Sequence, residues 1–302
     1  MDQMYLAQAG LLLQCLPAIN KQTDFALKGG TASNLFVLDM PRLSVDIDLT
    51  WLPVGPRQQT LEQIESALQQ ISEDISRALS EVKITTGKQD KFIVKLTVTT
   101  PKAQIKIEPN TILRGGVYPA EVRDLCPSAE ETFEMSASVQ TLSNADLYGG
   151  KICAALDRQH PRDLFDIYHL FNNGGITDDI RRAFIIYLAS HTRPVHELLD
   201  PARQNIKGIF DKQFQGMAVE AIDLDTLLDT RETLINTINE ILEEDERKFL
   251  VLIKEGRPDW TLMPLEGIEQ LPALQWKLQN IRKMDSKKHN KMLNKLKETL
   301  GL

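Results

Sequence analysis

The segment Phe25 to Trp51, FALKGGTASNLFVLDMPRLSVDIDLTW, constrains the fold more than any other stretch of the chain. It opens with an apolar run, Phe25 to Leu27, that ends in Lys28-Gly29-Gly30, and Thr31 begins a stretch compatible with a helix as far as Leu38. Glycines between a strand and a helix N-terminus place backbone N–H groups where an anion can meet them, because first-turn donors have no partner inside the helix. Beyond Met40-Pro41, the residues Arg42 to Leu49 alternate strictly between polar and apolar, the pattern of a half-buried strand. Side chains two apart on a strand point the same way. This assigns Val45, Ile47 and Leu49 to the core, and Arg42, Ser44, Asp46 and Asp48 to the opposite face.

Two carboxylates at i and i+2 on one strand face repel each other unless a cation lies between them, and a hard divalent ion favours carboxylate and phosphate oxygens. Each half of the segment has an ordinary alternative: a Gly-Gly pair is commonly a turn, and a lone Asp-x-Asp is commonly a solvated strand face. In the order strand, Gly-Gly, helix, strand, the two together point to a nucleotide site with Mg²⁺ or Mn²⁺. Gly29, Gly30 and Thr31 are the candidate phosphate cradle. Asp46 and Asp48 are the candidate metal ligands, with Arg42 and Ser44 as further phosphate or orientation contacts.

At 302 residues the chain can bury a large core in one or two domains. Its 42% hydrophobic and 25% charged content is that of an ordinary globular protein. A net charge of −7 argues against coating nucleic acid by bulk electrostatics, though not against a local basic surface. No apolar run approaches the ~20 residues of a membrane span, and no signal peptide is evident, so no membrane association and a cytoplasmic location are expected. Cys15, Cys126 and Cys153 are odd in number and form no CxxC pair, which predicts reduced structural thiols.

Residues 4 to 20 have helical apolar spacing, as do Leu61 to Leu79. Phe92 to Thr100 alternates like a strand, and Gln104 to Glu108 does so again before Pro109, which is expected to end it. Lys106 and Glu108 then share a face, which by itself reads as an exposed pair at a sheet edge. From about Ser136 the pattern turns helical, with no convincing strand afterwards. The predicted division is therefore residues 1–135 and 136–302. Within the second part, Asn144 to Arg158 reads as a helix on which Lys151 and Arg158 share a face, and Gly149 and Gly150 imply close packing. Pro161 starts a helix carrying Asp163 and Asp166. An Arg/Asp salt-bridge network joining these two helices is one reading of Arg158, Arg162 and Asp166. Arg181, Arg182, His191 and Arg193 could form a basic surface or be solvated singly. Arg231 to Ile253 reads as one long amphipathic helix. Arg282 to Lys297 gathers seven Lys/Arg residues in a basic amphipathic helix, with a solvated chain end as the alternative.

Lys28-Gly-Gly-Thr-Ala followed by Arg42-x-Ser-x-Asp-Ile-Asp-Leu resembles the signature of the AbiEii/AbiGii toxin family, nucleotidyltransferases of the polymerase β-like superfamily that includes the MenT toxins. Ser33 stands where relatives usually carry Leu. The segment Lys151-Ile-x-Ala to Arg158, then Arg162-Asp163-x-x-Asp166, resembles the later motifs, and the likeness extends into Asp259-Trp260 and Leu271 to Leu278. The resemblance implies an α+β, bilobed protein with an N-terminal nucleotidyltransferase lobe built on a mixed β-sheet and a C-terminal α-helical lobe. It implies transfer of a nucleotide from an NTP to RNA such as a tRNA 3′ end, and a cognate antitoxin. It gives Glu108 the part of a third carboxylate, joining the metal site or helping to deprotonate the attacking hydroxyl, Lys151 that of a triphosphate contact, and Asp163 that of a last essential acid. Nucleotidylation of a protein or small molecule by the same site, or a non-catalytic nucleotide-binding regulatory protein, are the alternatives.

Overall fold

The computed structural model describes residues 2–302. Residues up to Ser143, together with Gln215–Ala221, form one compact unit; Asn144–Phe214 and Ile222–Leu302 form a second. In chain order the first unit holds α1 (Gln3–Asn20), β1 (Phe25–Lys28), α2 (Gly29–Ala32), β2 (Asp46–Trp51), α3 (Arg57–Ala78), β3 (Lys83–Gln89), β4 (Phe92–Thr99), β5 (Gln104–Asn110), β6 (Glu121–Asp124), α4 (Pro127–Phe133) and β7 (Ser138–Thr141). The seven strands form one mixed sheet in the order β3-β4-β5-β2-β1-β7-β6. β2 is antiparallel to β1 and parallel to β5, so the carboxylate-bearing strand lies inside the sheet.

The period-two pattern decides which face carries chemistry. Ile47 and Leu49 of β2, Leu96 and Val98 of β4, and Ile105 and Ile107 of β5 are all buried, with α1 against β5 and α3 against β4. Full burial of such a side chain stabilises the fold by about 1.5–3 kcal/mol. A slip of one residue would reverse the faces, so the same burial holds Asp46, Asp48, Lys106 and Glu108 on the half-exposed side.

Several sequence expectations are corrected. The strand does not begin at Arg42: β2 starts at Asp46, and Arg42 instead bridges Ala218 of the returning segment. The Leu43 N–H donates to the Met217 carbonyl and the Val219 N–H to the Pro41 carbonyl, each at 2.9 Å, so residues distant in sequence take over the pairing there. Val45 is consequently half-buried rather than in the core. The helix after the glycines opens at Gly29, not Thr31, and widens into a π-helical turn over Ser33–Val37. Pro109 lies within β5 rather than ending it; pairing with β4 stops at Ile107, leaving one edge of β5 open, where proline is tolerated. β7 is a strand beyond Ser136, too short to show a period, that pairs with β1 and β6.

The second unit is helical: α5 (Asn144–Arg158), α6 (Pro161–Asn172), α7 (Asp178–Ser190), α8 (Val195–Leu199), α9 (Lys207–Ile209), α10 (Leu224–Ile241), α11 (Glu244–Glu255), α12 (Pro272–Arg282) and α13 (Ser286–Leu300). The expected single helix from Arg231 to Ile253 is two. Glu243 caps α11, with its side chain and that of Glu246 each accepting from the other's backbone N–H, a capping box that restarts the helix. The basic stretch likewise divides, because α12 ends at Arg282 and Asp285 caps α13. All three cysteines are free and buried, and burial pushes the Cys15 thiol up to about 12. Among the described residues no helix is long and apolar enough to cross a membrane.

Gly149 and Gly150 were both expected at a close contact, and only Gly149 is. A Cβ at Gly149 would lie 2.7 Å from the Phe184 backbone nitrogen of α7, whereas one at Gly150 would meet nothing within 4 Å. Gly149→Ala should therefore destabilise the protein by roughly 1–3 kcal/mol through overpacking. Gly150→Ala should stabilise it by up to about 1 kcal/mol through helix propensity. Thermal or urea unfolding of the two variants checks the opposite signs.

Candidate active site

The site in the first unit is built around the passage from β1 into α2. Lys28, the last residue of β1, pairs in register with Asp48 of β2, so the chain turns directly beside that carboxylate. Gly29 adopts φ +70°, and a Cβ there would sit 2.6 Å from Asp48 Oδ2. Glycine is thus required twice over, by the left-handed backbone and by the close approach. A Cβ at Gly30 would come within 2.6 Å of Arg42 Nη2 and 3.2 Å of Ser44 Oγ. The Thr31 hydroxyl donates to the Asp46 carbonyl at 2.6 Å and shares a hydrogen bond with Ser44 Oγ at 2.9 Å. Ser33 Oγ donates to the Gly29 carbonyl and Asn34 Nδ2 to the Gly30 carbonyl, which fixes the turn from its helical side. The side chain of Lys28, at the N-cap of α2, makes no capping hydrogen bond. Gly29, Gly30, Thr31, Arg42, Ser44, Asp46 and Asp48 are therefore gathered at one turn.

Asp46 and Asp48 share the half-exposed face of β2, and across the parallel ladder they pair with Lys106 and Glu108 of β5. Glu108 is engaged further out, its Oε1 lying 2.7 Å from Lys95 Nζ of β4. Lys28 and Lys95 were not recognised from sequence as neighbours of the acids. Their alternation was visible, but the strand order that aligns them was not. Among the described residues, no three of Asp, Glu, His and Cys come together as a ready metal cage. A pair of carboxylates at i and i+2 beside a backbone cradle nonetheless fits Mg²⁺, which is commonly held by one or two carboxylates and completed by phosphate and water oxygens.

Lys151 and Asp163 lie in the second unit. His160 accepts from the Arg162 N–H at the start of α6, and Pro161 occupies the first helical position. Asp163 and Asp166 then project together toward α5, and Lys151 Nζ lies 3.2 Å from Asp163 Oδ1 and 2.8 Å from Asp166 Oδ2. Arg158 adds two hydrogen bonds to Asp163, at 2.6 and 3.0 Å. Lys151, Asp163 and Asp166 are all buried. Burial raises the pKa of Asp163, but Lys151 and Arg158 outweigh it and hold the carboxyl well below the usual range. The cluster joins α5 to α6 as a network of two cations and two carboxylates. Arg181 and Arg193 neither open a basic surface nor stand solvated singly: Arg181 is buried in ion pairs with Asp178, Glu243 and Glu246, and Arg193 pairs with Asp157.

Residues 11–280 match the family model described as the nucleotidyl transferase AbiEii toxin of type IV toxin–antitoxin systems. Among solved structures, the fold is similar to that of MenT4, a nucleotidyltransferase toxin from Mycobacterium tuberculosis. The TM-score is 0.62 at 15% identity, over 99% of this chain and 95% of that one. No curated protein sequence matches.

Removing one member of a buried ion pair leaves an uncompensated charge, at a typical cost of 3–5 kcal/mol. Lys151→Ala should therefore lower the melting temperature strongly at pH 7. In the unsubstituted protein the depressed pKa of Asp163 gives stability that is present above the unfolded value of ~3.9 and lost as pH falls through the lower folded value. In the variant, Asp163 loses Lys151, the largest influence holding its buried carboxylate charged, and protonates more readily, so the stability difference between the two proteins should narrow between pH 7 and pH 4.5. Parallel melting curves at the two pH values measure it.

Proposed function

We propose a division of labour for a chain that belongs to the nucleotidyl transferase AbiEii toxin family of type IV toxin–antitoxin systems and is a nucleotidyltransferase. The first unit is the nucleotidyltransferase lobe, and the second is the helical lobe. Its substrate is an NTP, and RNA such as a tRNA 3′ end is the acceptor. As a member of a toxin–antitoxin family, the protein has an antitoxin counterpart.

Asp46 and Asp48 would hold Mg²⁺ or Mn²⁺, with Gly29, Gly30 and Thr31 presenting backbone N–H groups to the triphosphate. When bound, the cation neutralises charge on the reacting α-phosphate and aligns the attacking and leaving oxygens. Arg42 adds a fixed positive charge over Gly30, and Ser44 fixes Thr31. Glu108, paired with Lys95, would join the metal site or receive the proton of the acceptor hydroxyl. The parts given to Lys151, on the leaving pyrophosphate, and to Asp163, as a last essential acid, rest on the family resemblance.

The observation that carries this reading is the contact of Gly29 with Asp48. A metal-binding carboxylate and a phosphate-binding turn must be close enough to share one triphosphate, and here no side chain could fit between them. Asp48→Asn preserves the shape and removes one negative charge. Transfer of label from each NTP to total RNA or purified tRNA should fall by at least about a hundredfold, with the melting temperature unchanged. Undiminished transfer would remove Asp48 from the site, and label appearing on protein with RNA omitted would replace the RNA acceptor.

A further inference from the structure

The second unit contains a cavity of about 170 Å³ whose wall includes Leu250, Ile253, Ile281 and Leu296. Its charged lining consists of His196, Lys254 and Lys277, with no carboxylate. Among the described residues Lys277 donates only to the carbonyls of His191 and Arg193, and Lys254 reaches the Met284 thioether at 3.8 Å. Burial, and then Lys254, push Lys277 down to about 8, so the positive charge here is not compensated from within. Glu197, beside His196, pairs with Arg193, and Glu255, next in sequence to Lys254, pairs with Arg257 and Lys297. Trp276 stands at the wall with 53% of its surface exposed, and Asn280 adds a side-chain amide.

The positive charge continues along α13. Lys287, Lys291 and Lys295 recur at four-residue spacing and are exposed, and among the described residues none forms an ion pair with a carboxylate. Neighbours four apart lie on one helix face, so these lysines form a stripe on the exposed side of α13; its end at Lys295 acts on His196 of the cavity wall, and α13 itself lines the cavity through Met292 and Leu296. One small anion would need only the two cavity lysines. An exposed aromatic on one wall with two lysines, in a chain of net charge −7, fits a polyanion that also carries flat rings.

We propose that this cavity and the α13 stripe form a docking site for single-stranded RNA, with an unpaired base against Trp276 and successive phosphates on Lys254, Lys277 and the lysines of α13. RNA as the occupant rests on the acceptor reading above; the assignment of these residues does not involve the Asp46/Asp48 site. Stacking on an aromatic side chain tolerates any base, and lysine contacts to phosphate make affinity fall with salt.

The test uses the full chain carrying Asp48→Asn and a labelled six-nucleotide single-stranded RNA, with binding read by fluorescence anisotropy across a salt series. Trp276→Ala should weaken binding about tenfold or more, while Trp276→Phe retains most of the affinity. Replacing Lys287, Lys291 and Lys295 together by Gln should reduce the salt slope by roughly 2. These positions are exposed, so melting temperatures should stay at the parent value. Unchanged affinity in Trp276→Ala, an unchanged salt slope in the lysine variant, or a mononucleotide that binds at Trp276 without being displaced by the RNA would each overturn the proposal. Binding that behaves as expected in a protein whose unsubstituted form transfers nothing to RNA would retain the docking site and remove the acceptor reading instead.

Discussion

The approach of Gly29 to Asp48 is the constraint on which the rest of the first unit depends. It follows from the β1–β2 register, which sets Lys28 opposite Asp48, and from a backbone that leaves β1 at positive φ. A residue with a side chain at position 29 would have to displace the carboxylate or the turn. The buried set of β2, β4 and β5 holds the register from the other face. Ile47, Leu49, Ile105 and Ile107 have essentially no exposed surface, so any slip would exchange them with charged residues. Core and site are thus two sides of one alternation.

The second unit solves a different electrostatic problem. Lys151 is buried, and a buried ammonium is costly unless its neighbours supply charge and hydrogen bonds. Asp163 and Asp166 supply both, and the exposed Arg158 balances the second carboxylate. The arrangement positions the lysine firmly, and its first partner is the protein itself. Any part it takes in chemistry must draw on an ammonium already shared by two carboxylates.

Much of this was legible in the sequence because it depends on short-range periodicity. The alternation around Asp46 and Asp48, the glycines before a helix, the helical spacing of Lys151 with Arg158, and the proline opening α6 are all local patterns. What was not legible depends on partners distant in the chain. Arg42 to Val45 alternates like a strand, but Pro41 to Leu43 pair with Met217 to Val219, and no periodicity reports a partner so remote. β7 has four residues, too few to establish a period, and is a strand because β1 and β6 flank it. The Glu243 cap breaks a helix whose apolar spacing runs on unbroken, since a change in backbone direction need not disturb the pattern of side chains. Lys95 became relevant to Glu108 only once the strand order set β4 beside β5. The identity of Gly149, but not Gly150, as a contact glycine needed the position of α7.

The central claim is that the Asp46/Asp48 face and the Gly29–Thr31 turn together hold a metal-bound nucleotide. A crystal grown with Mn²⁺ and a non-hydrolysable NTP analogue tests it most directly, because anomalous scattering locates the ion independently of any assumption about the site. The account predicts an anomalous peak between the Asp46 and Asp48 carboxylates, with the triphosphate against the first turn of α2. A nucleotide and ion bound elsewhere on the chain, with Asp46 and Asp48 left uncoordinated, would contradict it.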